Sequence, residues 1–211
     1  MGLISLLFTN PALFIVLAVV LLYSVILHEV AHGWVAHLFG DDTAVFHGRL
    51  TLNPKSHIDP LGALMLFVAG FGWARPVPVN YYNLKRSRLG LFCVSLAGCF
   101  ANILIATVAL ALLHFEPVSS SPVYSVILPV VVRINIILGA FNLIPIPPLD
   151  GSKILMSFLP YRAQESLSRI EPYGFFILIF LLFTGVLTPV ITFVQNIILI
   201  LIAAVFGLII R

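Results

Sequence analysis

Two histidines and a glutamate near the start of the chain have the types and the spacing of a metal-dependent hydrolase site. Residues 28–32 read His-Glu-Val-Ala-His, so on a helix His28 and His32 lie one turn apart on the same face and can bind one metal ion together. Glu29 follows the first histidine, where it can act on a water at the metal without being a ligand. The alternative is a chance match, in which both histidines make hydrogen bonds inside a helix bundle.

The motif lies within a sequence that is long enough to cross a membrane. The run from Pro11 to Phe39 carries no charged residue before Glu29, and at about 1.5 Å per residue it crosses most of a bilayer. Ionisable side chains are costly in such a helix, which favours a functional interpretation over chance. Because the motif comes late in the run, we expect it near one membrane face.

Composition indicates that the whole chain is a membrane protein. Of its 211 residues 61% are hydrophobic and only 9% are charged, with a net charge of +3, whereas soluble domains carry about 25% charged residues. We therefore expect a single integral-membrane domain over residues 1–211. The basic residues are scattered among short loops, which excludes a nucleic-acid-binding stripe. Cys93 and Cys99 lie in one apolar segment, and we interpret them as packing residues.

The remaining pattern predicts an all-α polytopic fold with about six membrane segments and a small β-like element. The segments after the first are expected at residues 61–72 (short or re-entrant), 89–114, 123–141, 173–187 and 188–210. Residues 46–52 alternate loosely and predict a short strand. Residues 153–172 are amphipathic and are expected at the membrane interface.

Residues 73–80 predict an extended segment. Pro76 and Pro78, at alternate positions, exclude a helix and favour an edge-like conformation. Beside a metal, such an edge could pair with an unwound peptide by strand addition. An ordinary loop is the alternative.

A second candidate group lies in residues 142–151, which read Asn-Leu-Ile-Pro-Ile-Pro-Pro-Leu-Asp-Gly. The prolines break the helix, and irregular backbone at membrane depth is tolerated only where it is buried or lines a cavity. From this segment Asp150 can reach a metal, and two histidines with one carboxylate form a catalytic zinc pattern. Its alternative role is the N-cap of a helix over 152–159. His57 is a candidate near the metal or a loop histidine, and Asn102 is a buried amide of the helix bundle.

The Lys and Arg residues predict the orientation. If residues 40–59, 73–88 and 144–172 share one side with the C-terminus, that side holds ten of the eleven basic residues, and the eleventh, Arg133, lies within a span. By the positive-inside rule this side is cytoplasmic. The metal motif and Asp150 lie toward it.

On the motif of residues 28–32, the pattern of residues 142–151 and the segment Asn53–Pro60, the chain resembles the site-2 proteases, the intramembrane zinc metalloproteases of peptidase family M50. The similarity covers essentially the whole chain and points to the compact subgroup without PDZ or CBS domains. The resemblance implies Zn²⁺ held by His28, His32 and Asp150, with Glu29 as the catalytic acid/base. It also implies that Asn142 holds the substrate carbonyl or the oxyanion, and it keeps His57 and Asn102 as candidates near the site.

The resemblance further implies hydrolysis of peptide bonds within or near transmembrane helices of membrane-protein substrates, in the lipid bilayer of a prokaryotic plasma (inner) membrane. A polytopic divalent metal-ion transporter is the alternative function. Transport predicts several sites along a path across the membrane, whereas the candidate ligands here converge at one depth. A purely structural membrane scaffold would leave Glu29 unexplained. One departure from the family pattern is Ala97-Gly98-Cys99, where relatives often have Ala-Gly-Pro.

Overall fold

The protein is described by a computed structural model for residues 3–69, 72–85 and 87–207. Ten α-helices occur in these residues: α1 Leu3–Thr9, α2 Pro11–Leu38, α3 Thr43–Phe46, α4 Pro60–Ala69, α5 Ser87–Leu113, α6 Glu116–Ser119, α7 Tyr124–Asn142, α8 Asp150–Phe158, α9 Tyr161–Phe183 and α10 Leu187–Phe206. Two short 3₁₀ helices, Pro54–Ser56 and Tyr81–Asn83, lie in the connections. Five of them, α2, α5, α7, α9 and α10, are long and apolar enough to cross a membrane. The prediction of an all-α polytopic membrane protein is confirmed.

The first spanning helix, α2, has clear signals at both ends. The Asn10 side chain accepts a hydrogen bond from the Leu13 N–H, and Pro11 occupies the first helical position. Beyond Leu38 the chain turns at Gly40, whose φ of 96° favours a residue without a Cβ atom. The motif histidines lie in the second half of α2.

Helix α5 lies at the centre of the bundle, where it packs against α2, α7 and α8. The residues it buries are mostly small, and they recur at helical spacing: Ser95, Ala97, Cys99, Asn102, Ala106 and Ala109. Small side chains let neighbouring helices approach closely, which is how helices associate in membranes. On the far side, α7 and α10 pack together around Ile136, Ala140, Ile198 and Ile202.

The short segment before α5 is a helix that cannot span a bilayer. Helix α4 has ten residues, about 15 Å at the usual rise. It matches the short segment predicted at 61–72, of which residues 70 and 71 lie outside the described part of the chain.

The predicted strand over residues 46–52 is wrong. Phe46 ends α3, the chain turns at Gly48, and the Arg49 N–H bonds to the Ala44 carbonyl, so local turns use the backbone groups that a ladder would need. In the described residues, β structure is limited to one isolated antiparallel bridge between Ile58 and Ala74. That bridge is the only part of the expected β-like element that the structure contains.

The helix boundaries predicted between residues 152 and 187 are also wrong. Helix α8 already begins at Asp150 and ends at Phe158, and α9 then runs without a break from Tyr161 to Phe183. Pro172 lies inside α9, because neighbouring groups in a membrane protein can compensate for the hydrogen bond that proline removes. The expected turn near residue 185 is present, with Gly185 at a φ of 73°. The predicted end of the last span, residues 208–210, lies outside the described residues.

Candidate metal centre

The two motif histidines are buried in α2 and face the same point. His28 and His32 are 6% and 9% exposed, and their Nε2 atoms lie 3.0 Å apart. Four residues on one helix place side chains one above the other, so the spacing alone accounts for the pair. Both Nε2 atoms point away from the axis of α2 toward α5 and α8.

Asp150 joins them from a helix more than 100 residues away in sequence. Its Oδ2 atom lies 3.1 Å from Nε2 of His28 and 3.1 Å from Nε2 of His32. The expectation that Asp150 lies in irregular backbone is wrong, since Asp150 is the first residue of α8. The start of α8 packs closely on the preceding backbone, since a Cβ atom on Gly151 would lie 2.3 Å from the Leu143 carbonyl oxygen.

The other nitrogen of each imidazole has a fixed partner. Nδ1 of His28 lies 2.7 Å from Oδ1 of Asn102, and Nδ1 of His32 lies 2.7 Å from the Val94 carbonyl oxygen. Both acceptors are oxygens, so each Nδ1 carries a hydrogen. Each Nε2 faces Asp150, where it donates to the carboxylate when protonated and can bind a metal when it has lost that proton. Asn102 is itself held, because its amide donates to Oδ1 of Asn135 at 2.8 Å. Metal-binding histidines are oriented in this way.

A glycine leaves space in front of the histidines. A Cβ atom on Gly98 would lie 2.4 Å from Nε2 of His32 and 2.6 Å from Nε2 of His28. These distances are too short for any side chain larger than that of glycine. Helix α5 thus places bare backbone against the point where the two nitrogens and Asp150 converge. The Cys99 thiol also lies near this point, 3.8 Å from Oδ2 of Asp150.

The carboxyl group of Asp150 is suited to a cation. Burial by itself raises the pKa of Asp150, but hydrogen bonds with His28 and His32 outweigh burial and hold that pKa below its ordinary value. Asp150 is therefore an anion, and a metal ligand must be deprotonated.

Glu29 is fixed by the extended segment of residues 73–80. Its Oε2 atom accepts a 2.9 Å hydrogen bond from the Val77 N–H. Val77 also packs tightly on α2, since a Cβ atom on Gly33 would lie 2.7 Å from its Cγ1 atom. Glu29 itself is half-buried. Its carboxylate thus lies on the side of α2 that this segment covers.

Both ends of that segment are anchored. At one end the Arg75 N–H donates to the His57 carbonyl oxygen at 2.8 Å, and the Arg49 guanidinium donates to the Arg75 carbonyl oxygen at 2.8 Å. At the other end the Asn80 N–H donates to Oδ2 of Asp41 at 2.7 Å. No helix or strand is assigned over residues 75–80, in agreement with the exclusion of helix by the two prolines.

The remaining candidates occupy different positions. His57 is fully buried, but its Nε2 contacts the Thr51 carbonyl at 2.8 Å and the residue does not join the metal group. It has the role of a loop histidine that holds the chain before the extended segment. Asn142 lies at the end of α7, where its amide donates to the Leu138 carbonyl at 3.0 Å.

Three features of the site were missed in the sequence. These are the backbone of Gly98, the N–H of Val77 and the thiol of Cys99 beside Asp150. The signal for Val77 was present, since its N–H is the backbone donor between Pro76 and Pro78. No local pattern distinguishes Gly98 from a glycine that serves only helix packing.

Comparison with known proteins identifies the family. The sequence model of Peptidase family M50 matches residues 116–185. A protein of Bacillus subtilis (strain 168) named "Putative zinc metalloprotease YwhC" is 39% identical over 201 residues, which cover 90% of this chain and 92% of that protein. This chain belongs to peptidase family M50. The resemblance drawn from the motifs is thereby confirmed, and the chain is a zinc metalloprotease and an integral membrane protein.

Two further relatives of this M50 protease are less similar. "Putative zinc metalloprotease Rip2" of Mycobacterium tuberculosis (strain ATCC 25618 / H37Rv) is 34% identical over 169 residues, covering 76% of this chain and 62% of that protein. "Zinc metalloprotease MJ0392" of Methanocaldococcus jannaschii is 27% identical over 199 residues, covering 92% of this chain and 48% of that protein. No solved structure shows a significant match.

The donor set of the M50 protease fits Zn²⁺, the metal of this family. A tetrahedral zinc with bonds of about 2.0–2.1 Å places its ligand atoms about 3.3 Å apart, close to the 3.0–3.1 Å separations of His28, His32 and Asp150. Two neutral imidazoles and one carboxylate form a common catalytic set, which leaves one of four positions for a further ligand. Among the described residues, His28, His32 and Asp150 form a group of three His, Cys, Asp or Glu side chains that can hold a metal ion.

Proposed function

We propose that this M50 protein is an intramembrane zinc endopeptidase of the site-2 type, which hydrolyses peptide bonds within or near transmembrane helices. The observation that carries the proposal is the convergence of His28, His32 and Asp150 within 4.8 Å of one another between spanning helices. Residues 1–211 form one metalloprotease domain in this proposal.

In this proposal His28, His32 and Asp150 hold the metal, and Asn102 and the Val94 carbonyl orient the imidazoles. Bound zinc supplies Lewis-acid chemistry, which lowers the pKa of a water molecule from about 15.7 to about 7 and polarises a carbonyl group. The absence of a side chain at Gly98 lets the backbone of α5 lie directly against the two imidazoles. Burial of the metal centre excludes bulk water, which strengthens every electrostatic interaction in the site.

Glu29 transfers the proton. Its carboxylate accepts a proton from the attacking water as the oxygen adds to the scissile carbonyl carbon, and it then delivers that proton to the leaving amine when the C–N bond breaks. The hydrogen bond from Val77 to Oε2 leaves Oε1 free for this exchange. Proton transfer by a positioned side chain contributes about 10²–10⁴-fold to a rate.

Asn142 stabilises the oxyanion in this scheme. A carboxamide nitrogen carries two hydrogens, and the bond to the Leu138 carbonyl uses one of them. The second hydrogen is available to the substrate. Loss of one such donor typically costs about 2.7–4 kcal/mol in transition-state stabilisation.

The substrate helix has to unwind before it can react, because helical hydrogen bonds protect its peptide groups. The anchored segment of residues 75–80 lies next to Glu29 and can hold the extended form. Alternate residues of an extended chain face opposite sides, and the N–H groups of Arg75 and Val77 are already used inside the protein. Pro76 and Pro78 offer only carbonyl acceptors. Substrate N–H groups can therefore pair with the carbonyl oxygens of Pro76 and Pro78.

The distribution of basic residues supports a metal centre at the cytoplasmic side. The segments of residues 40–59, 73–88 and 144–172 carry the Lys and Arg residues that flank the spans, and the positive-inside rule puts them in the cytoplasm. The membrane is the plasma (inner) membrane of a prokaryote, and the substrates are transmembrane proteins or peptides.

The test is cleavage by purified protein in detergent with zinc. Wild type and Glu29→Gln are incubated with a panel of single-span peptides, and the products are mapped by mass spectrometry. The proposal predicts cuts within or beside the apolar span by wild type, none by Glu29→Gln, and equal zinc content in both proteins. Equal cleavage by both proteins would remove Glu29 as the acid/base. Cleavage restricted to soluble, non-spanning peptides would overturn the intramembrane assignment.

A further inference from the structure

A cavity of about 380 Å³ lies between α5, α7 and α10, and its lining does not include His28, His32 or Asp150. Its apolar lining comes from Leu110, Leu113, Pro129, Val132, Ile136, Ile137 and Leu199. Three polar side chains also line it, Arg133 of α7 and Gln195 and Asn196 of α10. The metalloprotease chemistry uses none of these residues.

Arg133 lies near the middle of a membrane span. It is nine residues from either end of α7, about 14 Å in each direction, in a hydrocarbon layer about 30 Å thick. Asn135, two residues later, faces Ser24 and Asn102 inside the bundle. A separation of two residues turns a helix by about 200°, so Arg133 is exposed on the opposite side of α7.

Its charge has no partner among the residues that the structure describes. The ion pairs found in residues 3–69, 72–85 and 87–207 do not include Arg133, and neither do the side-chain hydrogen bonds of these residues. Within the five spanning helices the carboxylates are Glu29, Glu165 and Glu171. Glu29 bonds to Val77, and the other two lie in the first half of α9. A charged side chain at this depth is costly unless something pairs with it.

We propose that this cavity binds the acidic side chain of a partner protein's transmembrane helix, which carries one Asp or Glu near the middle of its span and packs over the cavity. A carboxylate matches the five donors of the Arg133 guanidinium, and the amides of Gln195 and Asn196 supply further donors. The depth excludes lipid headgroups, which lie at the bilayer surface. The apolar lining accommodates the aliphatic side chains of the helix around its acid.

The test measures binding of designed single-span peptides to the full chain in phosphatidylcholine vesicles by energy transfer between labels. The peptides have one leucine–alanine host sequence and carry Glu, Gln or Leu at the midpoint. The protein carries Glu29→Gln, so that peptides are not consumed and the result does not depend on the proposed protease activity. We expect the Glu peptide to bind at least about tenfold more tightly than the Leu peptide.

Variants of the cavity decide the outcome. Arg133→Gln should remove the tighter binding of the Glu peptide, and Arg133→Lys should keep part of it. The control is Ile200→Gln, at an exposed position of α10 outside the cavity. This control should leave the preference for the Glu peptide unchanged. Unchanged zinc binding and thermal stability verify the fold of each variant. Equal binding of the three peptides, or an advantage that survives Arg133→Gln, would overturn the proposal. So would self-association of the protein that depends on Arg133 while no peptide binds.

Discussion

The backbone N–H of Val77 donates a 2.9 Å hydrogen bond to Oε2 of Glu29, 48 residues earlier in the chain. Pro76 and Pro78 have no N–H, so Val77 is the single donor at the centre of this segment. Because both ends of the segment are anchored, at His57 and at Asp41, the donor cannot move freely. The extended segment therefore positions the proposed acid/base.

Removing this donor should slow catalysis without releasing the metal. Val77→Pro eliminates the N–H, and a hydrogen bond to a charged group contributes about 1.5–3 kcal/mol, so we expect kcat to fall by roughly tenfold to a hundredfold. Zinc content should not change. Val77→Ala is the matched control, since it keeps the N–H and loses only packing. Equal losses in the two variants would show that packing, and not the hydrogen bond, matters at this position.

Gly98 should be intolerant of any side chain. Gly98→Ala places a Cβ atom about where the histidine nitrogens lie, at 2.4 Å from His32, so we expect loss of zinc binding and of activity. Gly139→Ala is the control on α7, because its nearest neighbour would be 3.4 Å away, at Ile103. Titration with a competing zinc chelator measures both. Full zinc affinity in Gly98→Ala would contradict the described approach of α5.

Asn102 should affect zinc affinity through His28. Asn102→Ala removes the acceptor for Nδ1 of His28, and loss of such an outer partner typically costs about 10–100-fold in metal affinity. Asn135→Ala, one step further from the metal, should have a smaller effect. Zinc competition in detergent distinguishes the two. An Asn102→Ala protein with wild-type affinity would remove Asn102 from the site.

Asp41 should make stability depend on pH. Burial by itself raises the pKa of Asp41, but hydrogen bonds from Thr43, Asn83 and Asn80 bring it below its ordinary value. A carboxyl group with a lowered folded pKa stabilises the protein above its unfolded value of about 3.9, and this contribution is lost as the pH falls through the folded value. We therefore expect Asp41→Asn to destabilise the protein at pH 7.

Thermal unfolding of wild type and Asp41→Asn at several pH values measures this effect. The difference should be about 1–3 kcal/mol at neutral pH and should shrink as the pH falls below about 4. Asp42→Asn removes an exposed partner of His37 and should have a smaller effect. A pH-independent difference between wild type and Asp41→Asn would contradict the role of the charge.

Features with a local cause could be predicted from the sequence. The spacing of His28 and His32 determines their shared face on a helix, and the long apolar runs predict spans. The extended state of residues 75–80 follows from the two prolines alone. The same logic failed at residues 46–52, where loose alternation has no neighbouring strand to pair with and local turns form instead.

Features that depend on tertiary contacts could not be predicted. The approach of Asp150 to the histidines depends on how α8 packs beside α5, and the role of Gly98 depends on the distance between α5 and α2. Asn102 lies in an apolar span and His57 in a polar loop, but neither sequence context shows which of the two contacts a metal ligand. Only the packing of the helices brings Asn102 to His28 and leaves His57 at the Thr51 carbonyl.

The central claim is that one zinc ion is held by His28 and His32 of α2 and Asp150 of α8. X-ray absorption at the zinc edge, combined with metal stoichiometry, tests it on wild type, Asp150→Asn and the control Glu116→Gln. The account predicts one zinc per chain in wild type, bound by two imidazole nitrogens and a carboxylate oxygen. We expect Asp150→Asn to lose most of its zinc and Glu116→Gln to keep all of it. Wild-type zinc affinity and an unchanged spectrum in Asp150→Asn would contradict the account.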